Sequence, residues 1–275
     1  MRIVVSPAIG FCYGVKLAIE RALSSSEPGK TVTLGPLIHN AQVVEELEKR
    51  GIRVAGSLNE VKPEEVLVIS AQGARAEILE EALKRGIKIL DLTCPELERT
   101  RELMLRILDE GYEVLLLGDR GHSEVESLLS FVPKARLVSP GELPNLPLSK
   151  KVALFSQSTQ DNNALANLAH KLIVQGAREL RVFNTICSAT RERQGALRKL
   201  LPEVEGIVVV GGKNSANTRR LALIAQENGK RTWHVERAEE LEAGWFQGIR
   251  TVGVVSGAST PKETVEDVVR RLRSF

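Results

Sequence analysis

The sequence predicts an α/β protein of three similar domains, each a parallel sheet covered by helices, related by a pseudo-threefold repeat. Three observations carry this. Three kinds of segment recur three times in one fixed order, the spacing inside the repeat hardly changes, and wholly apolar strands alternate with amphipathic helices. The first kind is a strand running into a cysteine and then a helix: RIVVSPAIGFCYGVKLAIERAL, KILDLTCPELERTRELMLRIL and LRVFNTICSATRERQGALRKLL. The second is an apolar strand closed by Gly, a polar turn and a helix: TVTLGPLIHNAQVVEELEKRG, EVLLLGDRGHSEVESLL and GIVVVGGKNSANTRRLALIAQENG. The third ends its strand in a small polar turn: EVLVISAQGARAEILEEALKRG, KVALFSQSTQDNNALANLAHKL and TVGVVSGASTPKETVEDVVRRL. Cys12 precedes Gly35 by 23 residues, and Cys94 and Cys187 precede Gly118 and Gly211 by 24 each. Boundaries are expected near residues 87 and 178, where KRGIK and QGAREL lead into the next cysteine-bearing strand. The domains are then 1–87 with Cys12, 88–178 with Cys94 and 179–275 with Cys187.

At 275 residues, 43% of them hydrophobic, the chain can bury a large core. No apolar run reaches the roughly 18 to 20 residues of a membrane span, and MRIVVSPAIG lacks the basic-then-apolar layout of a signal peptide, so a cytoplasmic protein off the membrane is expected. A net charge of +3 with both signs interspersed leaves no nucleic-acid footprint, while a small anionic ligand fits. GVVSGAS and VVVGGKNS fall short of the dinucleotide fingerprint, so no flavin or nicotinamide site is expected. No amphipathic stripe is left over from the repeats, which favours a monomer.

Ligands of parallel α/β sheets gather at the carboxyl ends of strands, beside unpaired helix N–H groups. All nine segments put their unusual polar residues there, and inward packing of three such units brings Cys12, Cys94 and Cys187 to one point. Three cysteines so far apart cannot all pair, and a reducing compartment keeps them as thiols. Three thiolates lack the fourth ligand of a structural zinc or an electron-transfer cluster, and the spacing is wrong for a zinc ribbon. A 4Fe-4S cluster with one open iron, a zinc ion, and three unrelated buried thiols all stay open on spacing alone.

The segments GFCYGVK, GPLIHN, DLTCP, GHSEVES, SQST, NTICSATRERQ, GGKNSANTRRL and GASTP, in this order across essentially the whole chain, resemble the 4-hydroxy-3-methylbut-2-enyl diphosphate reductase family of isoprenoid biosynthesis by the methylerythritol phosphate route. The resemblance implies a three-domain trefoil around a central 4Fe-4S cluster on Cys12, Cys94 and Cys187. It also implies an oxidoreductase that removes the hydroxyl of an allylic diphosphate, giving isopentenyl and dimethylallyl diphosphates. Electrons are then expected from a ferredoxin or flavodoxin.

By the same resemblance Glu124 is the acid, and Ser158, where the family usually has Thr, relays its proton. His39, His122, Ser215, Asn217 and Ser259 contact the diphosphate. Ser and Asn at such turns are ordinarily helix N-caps, whereas His is a weak cap. Gln72 stands where the family has His, and its amide keeps a hydrogen bond but no charge or transferable proton. Ala216 replaces a Ser that many members carry. Gln157 and Asn214 support the same turns, and His170, His234 and Lys213 receive no role. Two other classes fit parts of the pattern: an iron-sulfur electron carrier, sensor or paralogous reductase with another ligand, and a zinc hydrolase with Glu124 as base.

Overall fold

A computed structural model describes residues 1–25, 27, 29–143 and 151–275. In chain order these residues form β1 (Arg2–Val5), α1 (Tyr13–Ser24), β2 (Thr31–Leu34), α2 (Ala41–Lys49), β3 (Ile52–Ala55), β4 (Val66–Ile69), α3 (Ala76–Lys84), β5 (Lys88–Asp91) and α4 (Pro95–Asp109). There follow β6 (Glu113–Leu117), α5 (Ser123–Phe131), β7 (Arg136–Val138), β8 (Lys151–Ser156), α6 (Asn162–Val174), β9 (Glu179–Val182) and α7 (Ser188–Leu200). The chain continues through β10 (Gly206–Val210), α8 (Ala216–Glu227), β11 (Arg231–Val235), β12 (Thr251–Ser256) and α9 (Lys262–Arg273).

The strands make three four-stranded sheets, β3-β2-β4-β5, β7-β6-β8-β9 and β1-β12-β10-β11, and every pairing is parallel. Four-residue strands such as VLVI, with helical crossovers between them, can pair only this way. The three parallel sheets of the expected α/β fold are therefore present.

Sheet membership corrects the expected boundaries at 87 and 178. Each cysteine-bearing strand was assigned to the start of a repeat, yet β5 and β9 complete the sheets that precede them. β1 correspondingly joins the C-terminal sheet, with Arg2 opposite Thr251 and Val5 opposite Val254. The repeat is cyclic: its last sheet is completed by its first strand. A right-handed crossover lays a strand beside either neighbour, so the order of segments along the chain leaves the edge partner open. Three further strands, β3, β7 and β11, lie at the opposite sheet edges and are too short and too charged to read as buried strands.

Taken by internal packing, the chain divides into two compact units. One comprises Met1–Lys16, Ile38–Val44 and Ser188–Phe275, and the other Leu17–Leu37 and Glu45–Cys187. In the first, alternate residues of β10 feed two cores. Ile207 and Val209 pack with Leu197, Leu221 and Ile224 on one face, and Val208 and Val210 with Val254, Val265 and Val268 on the other. A strand buried on both faces must be apolar at every position, and GIVVV is. In the second unit Leu116 and Phe155 pack with Met104 and Leu128, while Leu115 and Leu154 pack with Leu165 and Leu172. The third sheet's strands are sealed by Leu67, Ile69 and Ala82. Full burial of each such large side chain contributes roughly 1.5–3 kcal/mol. Among the described residues no helix is long and apolar enough to cross a membrane.

Candidate active site

The expected site residues fall into two groups, one in each unit. In the larger unit the second residue of α5 is Glu124, which is only 5% exposed. Its carboxyl accepts two hydrogen bonds from one residue, the Ser158 N–H at 2.6 Å and the Ser158 hydroxyl at 2.5 Å. Burial holds this carboxyl above the ordinary range, the two Ser158 bonds oppose that shift, and the Asp119 carboxylate adds to it. A carboxyl so placed keeps a proton to higher pH than a surface glutamate and has a hydroxyl in direct contact to pass it on.

The backbone behind this pair is held from three sides. Gln157 and Gln160, both fully buried, donate their amides to Asp119 at 3.3 and 3.0 Å, and the Asp119 N–H returns a 2.7 Å bond to Gln157 Oε1. The main chain closes a turn from Gln160 N–H to Gln157 O at 3.1 Å, which fixes Ser158 between them. Gln157 was expected to support this turn. Asp119 and Gln160 were not singled out, because their role depends on two turns about 40 residues apart meeting at the ends of β6 and β8.

His122 is the N-cap of α5: its Nδ1 accepts from the Glu124 N–H at 3.3 Å. Weak as histidine is in that role, here it caps the helix. With Nδ1 accepting, the neutral ring carries its proton on Nε2. Gln72, in the turn after β4, accepts a hydrogen bond from the Ser123 hydroxyl through Oε1. Farther along α5, Ser127 donates to Ala74 O at 3.0 Å and Ser130 accepts from the Ala76 N–H at 2.9 Å. Serines at positions 123, 127 and 130 share one helix face, so α5 grips the whole 72–76 segment. A mostly apolar cavity of about 200 Å³ opens beside this segment between Ile69, Ser70, Arg75 and Ser123. Neither Glu124 nor Ser158 lines it, so it is separate from the proton-bearing pair.

In the other unit, His39, Ser215, Ala216, Asn217 and Ser259 belong to turns around the N-terminus of α8. Ser215 is its N-cap, accepting from the Thr218 N–H at 3.4 Å, so here the ordinary capping role is realised. Asn217 is different. It lies in the first turn of α8, is 4% exposed, and neither atom of its amide has a hydrogen-bond partner among the described residues. An unsatisfied buried amide at a helix N-terminus is costly unless a ligand completes it. Ser259 donates to His39 O at 3.4 Å. Gly212 lets the turn after β10 close against the same residue, since a Cβ there would stand 2.2 Å from His39 O. Lys213 pairs with Glu240 at 2.7 Å and its N–H donates to Glu236. His234 bonds Gly211 O from behind at 2.8 Å, and His170 lies within α6.

The three cysteines share one local design. Each ends a turn after a sheet-edge strand, directly before a helix, and each is a partly buried cysteine outside any disulfide. Each donates its N–H to the second residue after a neighbouring strand: Cys12 to Ala258 O at 2.9 Å, Cys94 to Ala71 O and Cys187 to Ser158 O at 3.0 Å. The Val15 N–H points at Cys12 Sγ from 3.5 Å. In donor chemistry the three fit a thiolate-ligated group. Among the described residues no three His, Cys, Asp or Glu side chains form a group able to hold a single metal ion. A cluster spreads its cysteines over separate irons and needs them farther apart than the ligands of one ion.

The LytB protein family model matches residues 3–273. A 4-hydroxy-3-methylbut-2-enyl diphosphate reductase of Geobacter sulfurreducens is 41% identical over 278 residues, covering 100% of this chain and 98% of the relative. One from Geotalea daltonii is 39% identical with the same coverage. Among solved structures, (E)-4-hydroxy-3-methyl-but-2-enyl diphosphate reductase, the terminal enzyme of the non-mevalonate pathway, is 35% identical with a TM-score of 0.69 over 100% of both chains. The E-1-hydroxy-2-methyl-but-2-enyl-4-diphosphate reductase from Plasmodium falciparum is 26% identical, with a TM-score of 0.91 over 98% of this chain and 87% of that one. Matched from end to end in sequence and in sheet architecture, this chain belongs to the LytB family.

Proposed function

We propose that the chain is an oxidoreductase that reductively removes the hydroxyl of 4-hydroxy-3-methylbut-2-enyl diphosphate, yielding isopentenyl and dimethylallyl diphosphates. The substrate takes up two electrons and two protons, its C–O bond breaks, and the oxygen leaves as water. The observation that carries the reading is the buried Glu124 carboxyl bonded to both donors of Ser158, an acid and a relay already in contact. Cys12, Cys94 and Cys187 would hold a 4Fe-4S cluster, which when bound supplies electrons and an open, Lewis-acidic iron. Ser158 Oγ would hold the substrate hydroxyl and pass it the proton of Glu124, since departing hydroxide is a poor leaving group until protonated.

The diphosphate would be held by His39, Ser215, Asn217, Ser259 and the N–H groups of the first turn of α8, with His122 and Gln72 contributing from the other group. The unsatisfied Asn217 amide supports this, because an anion at a helix N-terminus would complete it. Ala216 would leave its N–H as the donor. Gln72 would bind a phosphate oxygen only as a neutral donor, so affinity should suffer before chemistry does. Electrons would come from a ferredoxin or flavodoxin to a cytoplasmic monomer.

Anaerobic purification with iron and sulfide analysis, followed by a dithionite and methyl viologen assay on the substrate, tests the reading. A brown protein with about four irons per chain that forms five-carbon diphosphates is the expected result. A cluster without turnover, unrestored by Gln72→His, would make the chain a paralogue with another ligand.

A further inference from the structure

Arg193 in α7 is 5% exposed, and its guanidinium donates to two main-chain carbonyls, Gly10 O at 2.6 Å and Ala189 O at 3.1 Å. Burying a cation costs several kcal/mol, and a hydrophobic residue of similar volume is often as stable or more so. Stability alone therefore gives little reason for an arginine here. What it touches does. Gly10 lies two residues before Cys12, at a left-handed φ of +82° where the loop turns toward the thiol. The loop is otherwise held near its end by the Cys12 N–H bond to Ala258 O. Ala189 follows Cys187 by two residues in the chain. One planar fork thus fixes the loop that presents the first cysteine against the first turn of the helix that follows the third.

We infer that Arg193 is the positioning residue of the Cys12 loop, holding it ready to ligate. The inference rests on the reading of Cys12 as a cluster ligand, but the loop's order is measurable without a cluster. A lysine keeps the charge and loses the fork, because one ammonium cannot match two carbonyls with the same fixed geometry.

The experiment compares the full-length wild type with Arg193→Met, Arg193→Lys and Val268→Ala, the last a core truncation in α9 that leaves the loop's bonds untouched. Peptide-level hydrogen exchange is recorded on the cluster-free proteins. Iron release to a chelator is then timed after anaerobic reconstitution. In Arg193→Met the segment 8–12 is expected to exchange at least about tenfold faster while β10 and β12 keep their protection. Iron should leave about 10- to 100-fold faster, the usual effect of losing an outer-shell partner, with Arg193→Lys between that and wild type. Val268→Ala should lower the thermal midpoint yet release iron at the wild-type rate. Unchanged exchange over 8–12 in Arg193→Met overturns the inference, and so does iron release no faster than in Val268→Ala. If Arg193→Met does not fold, the exchange of Arg193→Lys decides in the same way. Wild type that takes up no cluster refutes the proposed function instead, and exchange over 8–12 still decides the role of Arg193.

Discussion

Glu124 sits where two forces oppose each other: burial favours its protonated form, and the paired donors of Ser158 favour the carboxylate. Burial is the larger effect, with Asp119 adding to it, so the carboxyl holds its proton above the ordinary carboxylate range, as the acid role proposed for it requires. Glu124→Gln keeps the shape and removes the proton, and turnover should fall about 10²- to 10⁴-fold with KM little changed in steady-state assays. The same shift has a sign for stability. Because the folded-state pKa lies above the unfolded one, the contribution is full below the unfolded value of 4.5 and is lost as pH rises through the folded pKa. Thermal midpoints of the cluster-free protein should therefore drop with rising pH over that window relative to Glu124→Gln, and parallel curves would remove the basis for calling Glu124 an acid. Glu124, Ser158, His39 and His122 could be singled out from the sequence because each stands in a short motif at a strand end. Asp119, Gln160 and Arg193 are not, since nothing local in GDRG or RERQ says which distant turn they reach.

At the scale of elements, α5 does two jobs: its first turn carries Glu124, and its serine face grips the segment that carries Gln72. α3 has no side-chain cap of its own at Arg75, and Ser130 supplies the bond to the Ala76 N–H from α5. Ser130→Ala should cost about 0.5–2 kcal/mol in urea melts, the range of a lost N-cap, and raise exchange in the first turn of α3. Unaltered exchange there would mean that the bond is dispensable. Helices and inner strands were readable because their apolar patterns are long and unambiguous. The edge strands β3, β7 and β11 escaped notice because three to five residues with a charged or polar member, as in RLV or RTWHV, carry too little pattern.

For the whole molecule, the threefold repeat in the sequence correctly indicates three parallel sheets, while the grouping of strands follows a rule the repeat cannot express. Each sheet borrows the cysteine-bearing strand of the next repeat, and the last borrows the first. Deleting residues 1–5 should therefore damage the C-terminal sheet, exposing the β12 edge and uncovering core contacts of Ile3 and Val4. Calorimetry should show a lowered midpoint, and hydrogen exchange should locate the loss in β10 and β12 while β6 and β8 stay protected. Equal loss in both units would contradict the division into two compact bodies.

The closure of the last sheet by β1 also sets a timetable for synthesis. Arg2–Val5 leaves the ribosome long before its strand partner, Thr251–Ser256, has been translated. The sheets β3-β2-β4-β5 and β7-β6-β8-β9 draw on local sequence and can assemble on the nascent chain. The first strand must wait, unpaired and apolar, for nearly the whole polypeptide, and so the loop that carries Cys12 reaches its place last. Cys94 and Cys187 therefore follow strands whose sheets can already have formed, while the loop of Cys12 still waits for its strand partner, an interval fixed by the closing of the last sheet on the first strand.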